Sequence, residues 1–166
     1  GPNQDNCVAS TFDGSADYLT RSSISGLSDS KLFTFSFNAS QTSGNAQIFT
    51  ASNGKVSIKI ESNRVYVLLV NTSGGAILNF TSPYPANRLT NGQHNSISFS
   101  CDLSDTSKRH MFINGVDVTS EVTFSAYLNQ VMDLTLTPYA IGAAADGSSK
   151  FNGSIGEFYL DTAYID

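Results

Sequence analysis

The stretch from Asn95 to Thr119 constrains the fold of this chain more than any other part of the sequence. It contains two strand-like segments on either side of a polar loop rich in Asp and Ser. In the first segment, apolar residues such as Ile97 and Phe99 alternate with serines, the pattern of a strand with one buried face. The second segment runs into Asn114-Gly115, the strongest short-range signal for a hairpin turn. The stretch therefore predicts neighbouring antiparallel strands built on a hydrophobic layer.

Alternation with a period of two continues through most of the chain. Between Leu32 and Asn38 it puts three Phe residues on one face and Thr, Ser and Asn on the other, so this strand is predicted to be central. Four strands joined by short turns, which require antiparallel pairing, are predicted at residues 47–51, 56–61, 64–70 and 76–81. Further strands are predicted at residues 7–12, 17–21, 134–136, 139–141 and 153–160.

Two segments depart from simple alternation. Residues 121–133 fit either an irregular strand or one or two short helical turns. In the last strand, Ile155, Phe158 and Leu160 share one face only if an extra residue is inserted, so a β-bulge is predicted near Gly156. No segment shows a convincing helical period of 3.6. The sequence therefore predicts an all-β fold, a two-sheet antiparallel sandwich.

The segment from Val65 to Val70 carries apolar side chains on both of its faces. One face belongs to the predicted core, so the second face is also expected to be covered. We interpret this segment as the floor of a groove or as a contact between subunits.

Composition and charge exclude two classes of partner. Charged residues make up only 14% of the chain and the net charge is −5, whereas binding to a nucleic-acid backbone needs clustered Lys and Arg. No apolar run approaches the roughly 20 residues that a membrane-spanning helix needs, so no membrane insertion is predicted. A polar surface with few charges is typical of all-β domains found outside cells and on virions.

The first residues and the cysteines bear on domain organisation. The opening Gly1-Pro2 is typical of a cleaved expression tag. Residues 1–6 are therefore interpreted as tag remnant and N-terminal linker, and residues 7–166 as a single domain. Cys7 and Cys101 are predicted to be buried free thiols, because Cys101 continues the inward alternation of its strand. One bridge between them is the alternative.

A series of short motifs follows one another along the chain. They are Phe12-Asp13-Gly14, Tyr18-Leu19, the run Phe33 to Phe37, the hairpin from His94 to Val116, Ile141-Gly142, and the run Phe151 to Phe158. Together they resemble a concanavalin A-like jelly roll of the laminin-G-like (LamG) type, over nearly the whole chain. The Tyr-Leu-Thr-Arg and Glu-Phe-Tyr-Leu-Asp runs look most like LamG-like domains of phage and prophage virion proteins. The chain departs from the family pattern in having no Trp.

The resemblance implies that the first and last strands pair, which would bring Asp13 and Asp17 near Asp161. Calcium takes carboxylate and carbonyl oxygens from loops, so a structural calcium ion is expected at these three residues. Looser options for the ion are Asp102 with Asp105, or Asp146 with Asn152. The alternative for each residue is a role in a turn, where the side chain bonds to nearby backbone.

Sugar recognition needs aromatic faces that stack on the sugar ring and polar groups that bond to its hydroxyls. The candidate ligand-binding residues are Tyr66, Tyr84, Arg88, His110 and Tyr127. Core packing is the alternative role for each tyrosine, since a buried ring with a bonded hydroxyl is common. The alternative for His110 is a solvent-facing position on a strand.

The sequence contains no recognisable catalytic set. Retaining glucanases use two carboxylates about 5–5.5 Å apart, and the only glutamates, Glu61, Glu121 and Glu157, each stand alone. No nucleophile elbow of the type Gly-x-Ser-x-Gly lies around either histidine. The chain is therefore predicted not to be an enzyme.

Three hypotheses for function follow. The first is a non-catalytic, lectin-like module of a virion or other extracellular assembly, with host-surface or other extracellular glycan as its partner. The second is a structural domain that forms homo-oligomers in a virion fibre or capsid. The third is a polysaccharide-cleaving enzyme.

Overall fold

The chain folds into two antiparallel sheets that pack against each other, as the sequence predicts. The computed structural model describes residues 9–42, 46–52, 54–82 and 92–166. Within these residues the strands are β1 (Ser10–Asp13), β2 (Leu19–Arg21), β3 (Leu32–Gln41), β4 (Ala46–Ala51), β5 (Val56–Glu61), β6 (Arg64–Val70), β7 (Ala76–Thr81), β8 (Asn95–Asp102), β9 (Arg109–Ile113), β10 (Val116–Asp117), β11 (Thr123–Tyr127), β12 (Tyr139–Ile141) and β13 (Asn152–Asp161). A short 3-10 helix covers Thr119–Glu121.

The strands are divided between a six-stranded and a seven-stranded sheet. In the six-stranded sheet the order is β1-β13-β3-β8-β9-β10, so β3 has a partner on each side. In the seven-stranded sheet the order is β11-β7-β6-β5-β4-β12-β2, which contains the predicted antiparallel meander as its centre. The chain passes between the sheets several times, which gives the non-sequential order of a jelly roll.

An aromatic layer fills the space between the sheets. The three Phe side chains of β3 point inward, and Phe35 is completely buried. The ring of Phe35 lies 5.8 Å from that of Phe99 on β8, and Phe99 lies 4.5 Å from Phe80 of the opposite sheet. These centroid distances are typical of favourable aromatic pairs. The prediction that β3 is central is therefore confirmed.

The hairpin predicted from Asn114-Gly115 is also confirmed. Both residues have positive φ, 51° and 76°, as a tight hairpin turn requires. The Asn114 side chain further fixes the turn, because its Oδ1 accepts a hydrogen bond of 2.8 Å from the backbone N–H of Ser96.

Cys101 on β8 is a buried free thiol, as predicted, and burial raises its pKa to about 12. Cys7 lies outside the described residues.

The predicted bulge lies in β13, where the register with β3 shifts between Gly156 and Tyr159. Glu157 has a φ of 49°, a conformation that occurs in bulges and turns. The extra residue lets Phe158 and Leu160 pack against the core. It also turns Tyr159 to the outer face, where 44% of the residue is exposed.

Some predictions of secondary structure are wrong. Residues 134–136 do not form a strand. The backbone N–H of Leu134 donates a hydrogen bond of 3.0 Å to the side-chain Oδ1 of Asp29, not to the backbone of another strand. Residues 121–133 contain both of the predicted alternatives, the end of the 3-10 helix and the short strand β11. The second strand begins at Leu19 rather than at residue 17, and residues 7 and 8 of the first predicted strand lie outside the described residues.

The buried layer makes a prediction about stability. Phe35→Ala should lower the free energy of unfolding by about 3–5 kcal/mol, because it removes a buried ring and leaves a cavity. Phe112→Ala, on an outward-facing position of β9, should lower it by about 1 kcal/mol or less. Urea denaturation of both variants measures the difference, and equal losses would contradict the assignment of the two faces.

Candidate functional site

A row of four side chains crosses the outer face of the six-stranded sheet. Tyr159 pairs with Ser36, Ser36 with Ser98, and Ser98 with Phe112. Side chains of directly paired residues point to the same face of a sheet. The two serines form the floor of a groove and the two rings form its sides. We call this groove the serine trough.

The serine trough has a volume of about 260 Å³. Its two aromatic residues are three strands apart, which is about 14 Å at roughly 4.8 Å per strand spacing. Tyr159 is 44% exposed and Phe112 is 39% exposed, whereas Phe35 and Phe99 of the same sheet are buried. The rings of the trough therefore have faces that a ligand can contact.

The hydroxyl groups on this face fall into two classes. Thr34 and Ser100 are buried and bonded to each other, with 2.7 Å between their oxygens. Ser36 and Ser98, one residue pair further along the strands, are partly exposed, and their hydroxyls form no hydrogen bond within the described part of the chain. The floor of the trough thus offers two hydroxyls that both donate and accept.

Residues 162–166, which we call the C-terminal segment, cover one end of the trough. The Thr34 hydroxyl donates to the carbonyl oxygen of Ala163 at 2.6 Å, and the N–H of Ile165 donates to Ser100 Oγ at 2.7 Å. Because Thr34 donates to Ala163, Ser100 must donate to Thr34, so the O–H donors of both residues are in use. The side chain of Ile165 forms part of the wall of the trough.

His110, a predicted ligand residue, lies under the C-terminal segment. Its Nε2 is 2.6 Å from the hydroxyl of Tyr164 and 3.2 Å from Oδ1 of Asp166. The rings of His110 and Tyr164 are stacked, with 5.8 Å between their centroids. Burial and the carboxylate of Asp166 raise the pKa of Tyr164. His110 therefore borders the trough but is itself bonded to the segment.

Tyr66, another predicted ligand residue, lies on the outer face of the opposite sheet. It lines a groove of about 320 Å³, the Tyr66 groove, together with Gln47, Ser57, Lys59, Leu68 and Asn79. The ammonium group of Lys59 lies 5.2 Å from the centre of the Tyr66 ring. The second face of the segment from Val65 to Val70 is thus half-buried and rimmed by polar side chains, which fits its interpretation as the floor of a groove.

Tyr127 has a packing role at the open edge between the sheets. Its hydroxyl donates to the carbonyl oxygen of Asp102 at 2.7 Å, and the carbonyl oxygen of Lys108 lies at 3.2 Å. The guanidinium group of Arg109 lies 4.8 Å from its ring centre. Burial raises the pKa of Tyr127. The residue therefore links β11 to the loop between β8 and β9. This is the packing role that was the alternative to ligand binding for Tyr127.

The predicted ligand residues do not form one site. Tyr66 and His110 lie on the outer faces of opposite sheets, and Tyr127 lies at the edge between them. Tyr84 and Arg88 lie outside the described residues. Phe112 and Tyr159 were not among the predicted ligand residues. Alternation next to Met111 and Ile113 indicates that Phe112 faces outward, and the predicted bulge implies the same for Tyr159.

The expected cluster of Asp13, Asp17 and Asp161 does not form. The first and last strands do pair, but Asp13 lies opposite Asn152, at the other end of β13 from Asp161. Nine residues of a strand span roughly 30 Å at about 3.3 Å each. Asp13 Oδ1 instead accepts bonds from the N–H groups of Ser15, Ala16 and Asp17, which lower its pKa.

Asp102, Asp105 and Asp146 have the same role as Asp13. Each accepts bonds from the N–H and the hydroxyl of a serine two residues later. Among the residues that the structure describes, no three His, Cys, Asp or Glu side chains are grouped so that they could hold a metal ion. Calcium binding stays a prediction.

A family model described as the concanavalin A-like lectin/glucanases superfamily matches residues 13–162. The chain belongs to this superfamily. No curated protein sequence matches this concanavalin A-like chain significantly. Within its described residues, no helix is both long and apolar enough to cross a membrane.

Solved structures show the same concanavalin A-like fold. Domains LG4-5 of the mouse laminin alpha1 chain align with a TM-score of 0.62 at 18% identity, over 93% of this chain and 41% of that one. A heptameric pentraxin from Limulus polyphemus gives 0.64 at 11% identity, over 94% of this chain and 76% of that one. A candidate carbohydrate-binding protein from Bacteroides ovatus gives 0.63 at 13% identity, over 95% and 44%. The chain therefore spans less than half of the laminin fragment, and the likeness shows the fold alone.

The packing role of Tyr127 can be separated from a role in binding. Tyr127→Phe should lower the free energy of unfolding by about 1 kcal/mol, because it removes the bond to the Asp102 carbonyl. Tyr66→Phe is the matched control, since the Tyr66 hydroxyl forms no hydrogen bond within the described residues. Thermal unfolding measures both variants. An unchanged stability of Tyr127→Phe together with weakened ligand binding would contradict the packing role.

Proposed function

We propose that this concanavalin A-like domain is a non-catalytic recognition module that binds host-surface or other extracellular glycan. The observation that carries the proposal is the serine trough, in which two exposed rings flank two unbonded hydroxyls. Sugars present apolar ring faces and hydroxyl groups together, so they match a surface that offers aromatic faces beside donors and acceptors.

The comparisons and the sequence support the proposal at different levels. The likeness to the Bacteroides ovatus protein supports carbohydrate binding as the class of function. The resemblance to LamG-like domains of phage and prophage virion proteins supports display on a virion or another extracellular assembly. The three glutamates lie on three separate elements, β5, the 3-10 helix and β13, which supports a role without carboxylate catalysis.

One contact favours a second candidate, cleavage of a uronate polysaccharide by β-elimination. In that reaction a base takes the proton α to the uronate carboxylate, and the glycosidic C–O bond on the next carbon breaks. A carbon–carbon double bond forms between the two carbons, and the departing sugar oxygen takes a proton from an acid. The 2.6 Å contact between His110 and Tyr164 places two proton-transfer groups beside the trough. The raised pKa of Tyr164 makes the phenolate scarce at neutral pH, and Asp166 opposes a uronate carboxylate, so we favour binding.

A structural role in a virion fibre or capsid is the other alternative, supported by the heptameric state of the Limulus pentraxin. In that case the Tyr66 groove is the surface that a second copy would cover. Lys59 and the polar rim make this surface less apolar than stable subunit interfaces usually are. We therefore propose that the isolated domain is monomeric, and light scattering that shows a stable oligomer would favour the structural role.

A glycan array followed by titration calorimetry tests the proposed function. The domain should bind a subset of glycans, and calorimetry with the best of them should give a saturable isotherm. Thermal unfolding of the domain with Ca²⁺ and with EDTA tests the predicted structural calcium ion. Binding to no glycan on the array would overturn the proposal. Release of unsaturated sugar ends, followed by ultraviolet absorbance, would instead identify a lyase.

A further inference from the structure

We propose that the serine trough binds a neutral oligosaccharide across the strands, with one sugar ring on Tyr159 and another on Phe112. The proposal rests on the proposed function and assigns it a site, a minimum ligand length and a charge class. Four properties of the described residues carry it: the fixed orientation of one ring, the distance between the rings, the unbonded hydroxyls and the charges around the trough.

The Tyr159 ring is held in place by its own hydroxyl. That hydroxyl donates to Asp161 Oδ2 at 2.8 Å, and the bond raises the pKa of Tyr159. The one hydrogen that this hydroxyl can donate is therefore engaged, and the ring face is the main surface that Tyr159 offers to a ligand. A ring fixed before binding loses little conformational freedom when a ligand stacks on it.

The distance between the rings sets a minimum ligand length. Stacked rings have centroids about 4.5–7 Å apart, whereas the strands that carry Tyr159 and Phe112 are about 14 Å apart, three spacings of roughly 4.8 Å each. A single sugar ring stacked on one of these residues cannot contact the other. At least two linked sugar rings are needed to use both aromatic faces.

The unbonded hydroxyls select the chemistry of the ligand between the rings. Ser36 and Ser98 lie side by side on β3 and β8, below the gap that the rings leave. Each hydroxyl can donate one hydrogen bond and accept others. A sugar, whose hydroxyls also donate and accept, satisfies both serines, whereas a purely apolar ligand would bury them without partners.

The charges around the trough disfavour anionic sugars. Among the described residues that line it, the ionisable groups besides Tyr159 are His110 and Asp166, and there is no Lys or Arg. Asp161 lies beside Tyr159, and Asp117 pairs with Phe112 on the next strand. Carboxylates thus flank both rings, so a sialylated, sulfated or uronate ligand would meet repulsion rather than a cation partner.

The test makes two comparisons: neutral glycans of different length, and neutral and acidic glycans of matched length. We expect neutral di- to tetrasaccharides to bind, their monosaccharides to bind at least tenfold more weakly, and sialylated or sulfated counterparts to bind more weakly than the neutral forms. Calorimetry measures each affinity with the folded wild-type domain. Tighter binding of the acidic counterparts, or equal binding of monosaccharides, would overturn the inference.

Variants locate the site. Tyr159→Ala and Phe112→Leu each remove an aromatic face, and each should weaken binding roughly three- to tenfold. Phe112→Leu keeps apolar bulk at the position, so a loss of binding reports the missing aromatic face rather than a change in stability. Tyr66→Ala is the matched control on the opposite sheet and should bind as the wild type does. Loss of binding in Tyr66→Ala alone would overturn the inference while leaving the proposed function intact, whereas no binding by the wild type overturns both.

Discussion

The contact between Phe35, Phe99 and Phe80 joins the two sheets, and the outer surface follows from it. Because side chains alternate along a strand, every inward residue of β3 and β8 forces its neighbours outward. Ser36 follows Phe35, and Ser98 precedes Phe99, so the aromatic layer itself positions the floor of the serine trough. A change that reversed the alternation of either strand would lose the core and the trough together.

The bulge in β13 adds one side of the trough. Strict alternation from Ile155 would bury Tyr159 and expose Phe158. The residue inserted at Glu157 reverses this, so Phe158 stacks on Phe49 with 5.5 Å between centroids and Tyr159 turns outward. Bulges often redirect a side chain beside a functional site. This one bulge therefore places Phe158 in the core and Tyr159 on the surface that we assign to the ligand.

Most of the fold could be predicted from local patterns, because alternation and turn residues determine strands directly. The candidate site was less predictable, since it depends on pairing between strands that are distant in sequence. Neither the register that separates Asp13 from Asp161 nor the covering of His110 by Tyr164 leaves a local signal. The outward positions of Phe112 and Tyr159 follow from the predicted alternation and bulge, but only the register of β13, β3, β8 and β9 brings them together in one candidate site.

Chemical-shift mapping of the backbone amides tests this account most directly. The ¹⁵N-labelled domain is titrated with the neutral oligosaccharide that the array selects. The account predicts that the largest shift changes fall on β3, β8, β9 and β13, around Ser36 and Ser98 and next to Phe112 and Tyr159. Changes centred on the Tyr66 groove of the opposite sheet, with the trough unaffected, would contradict it.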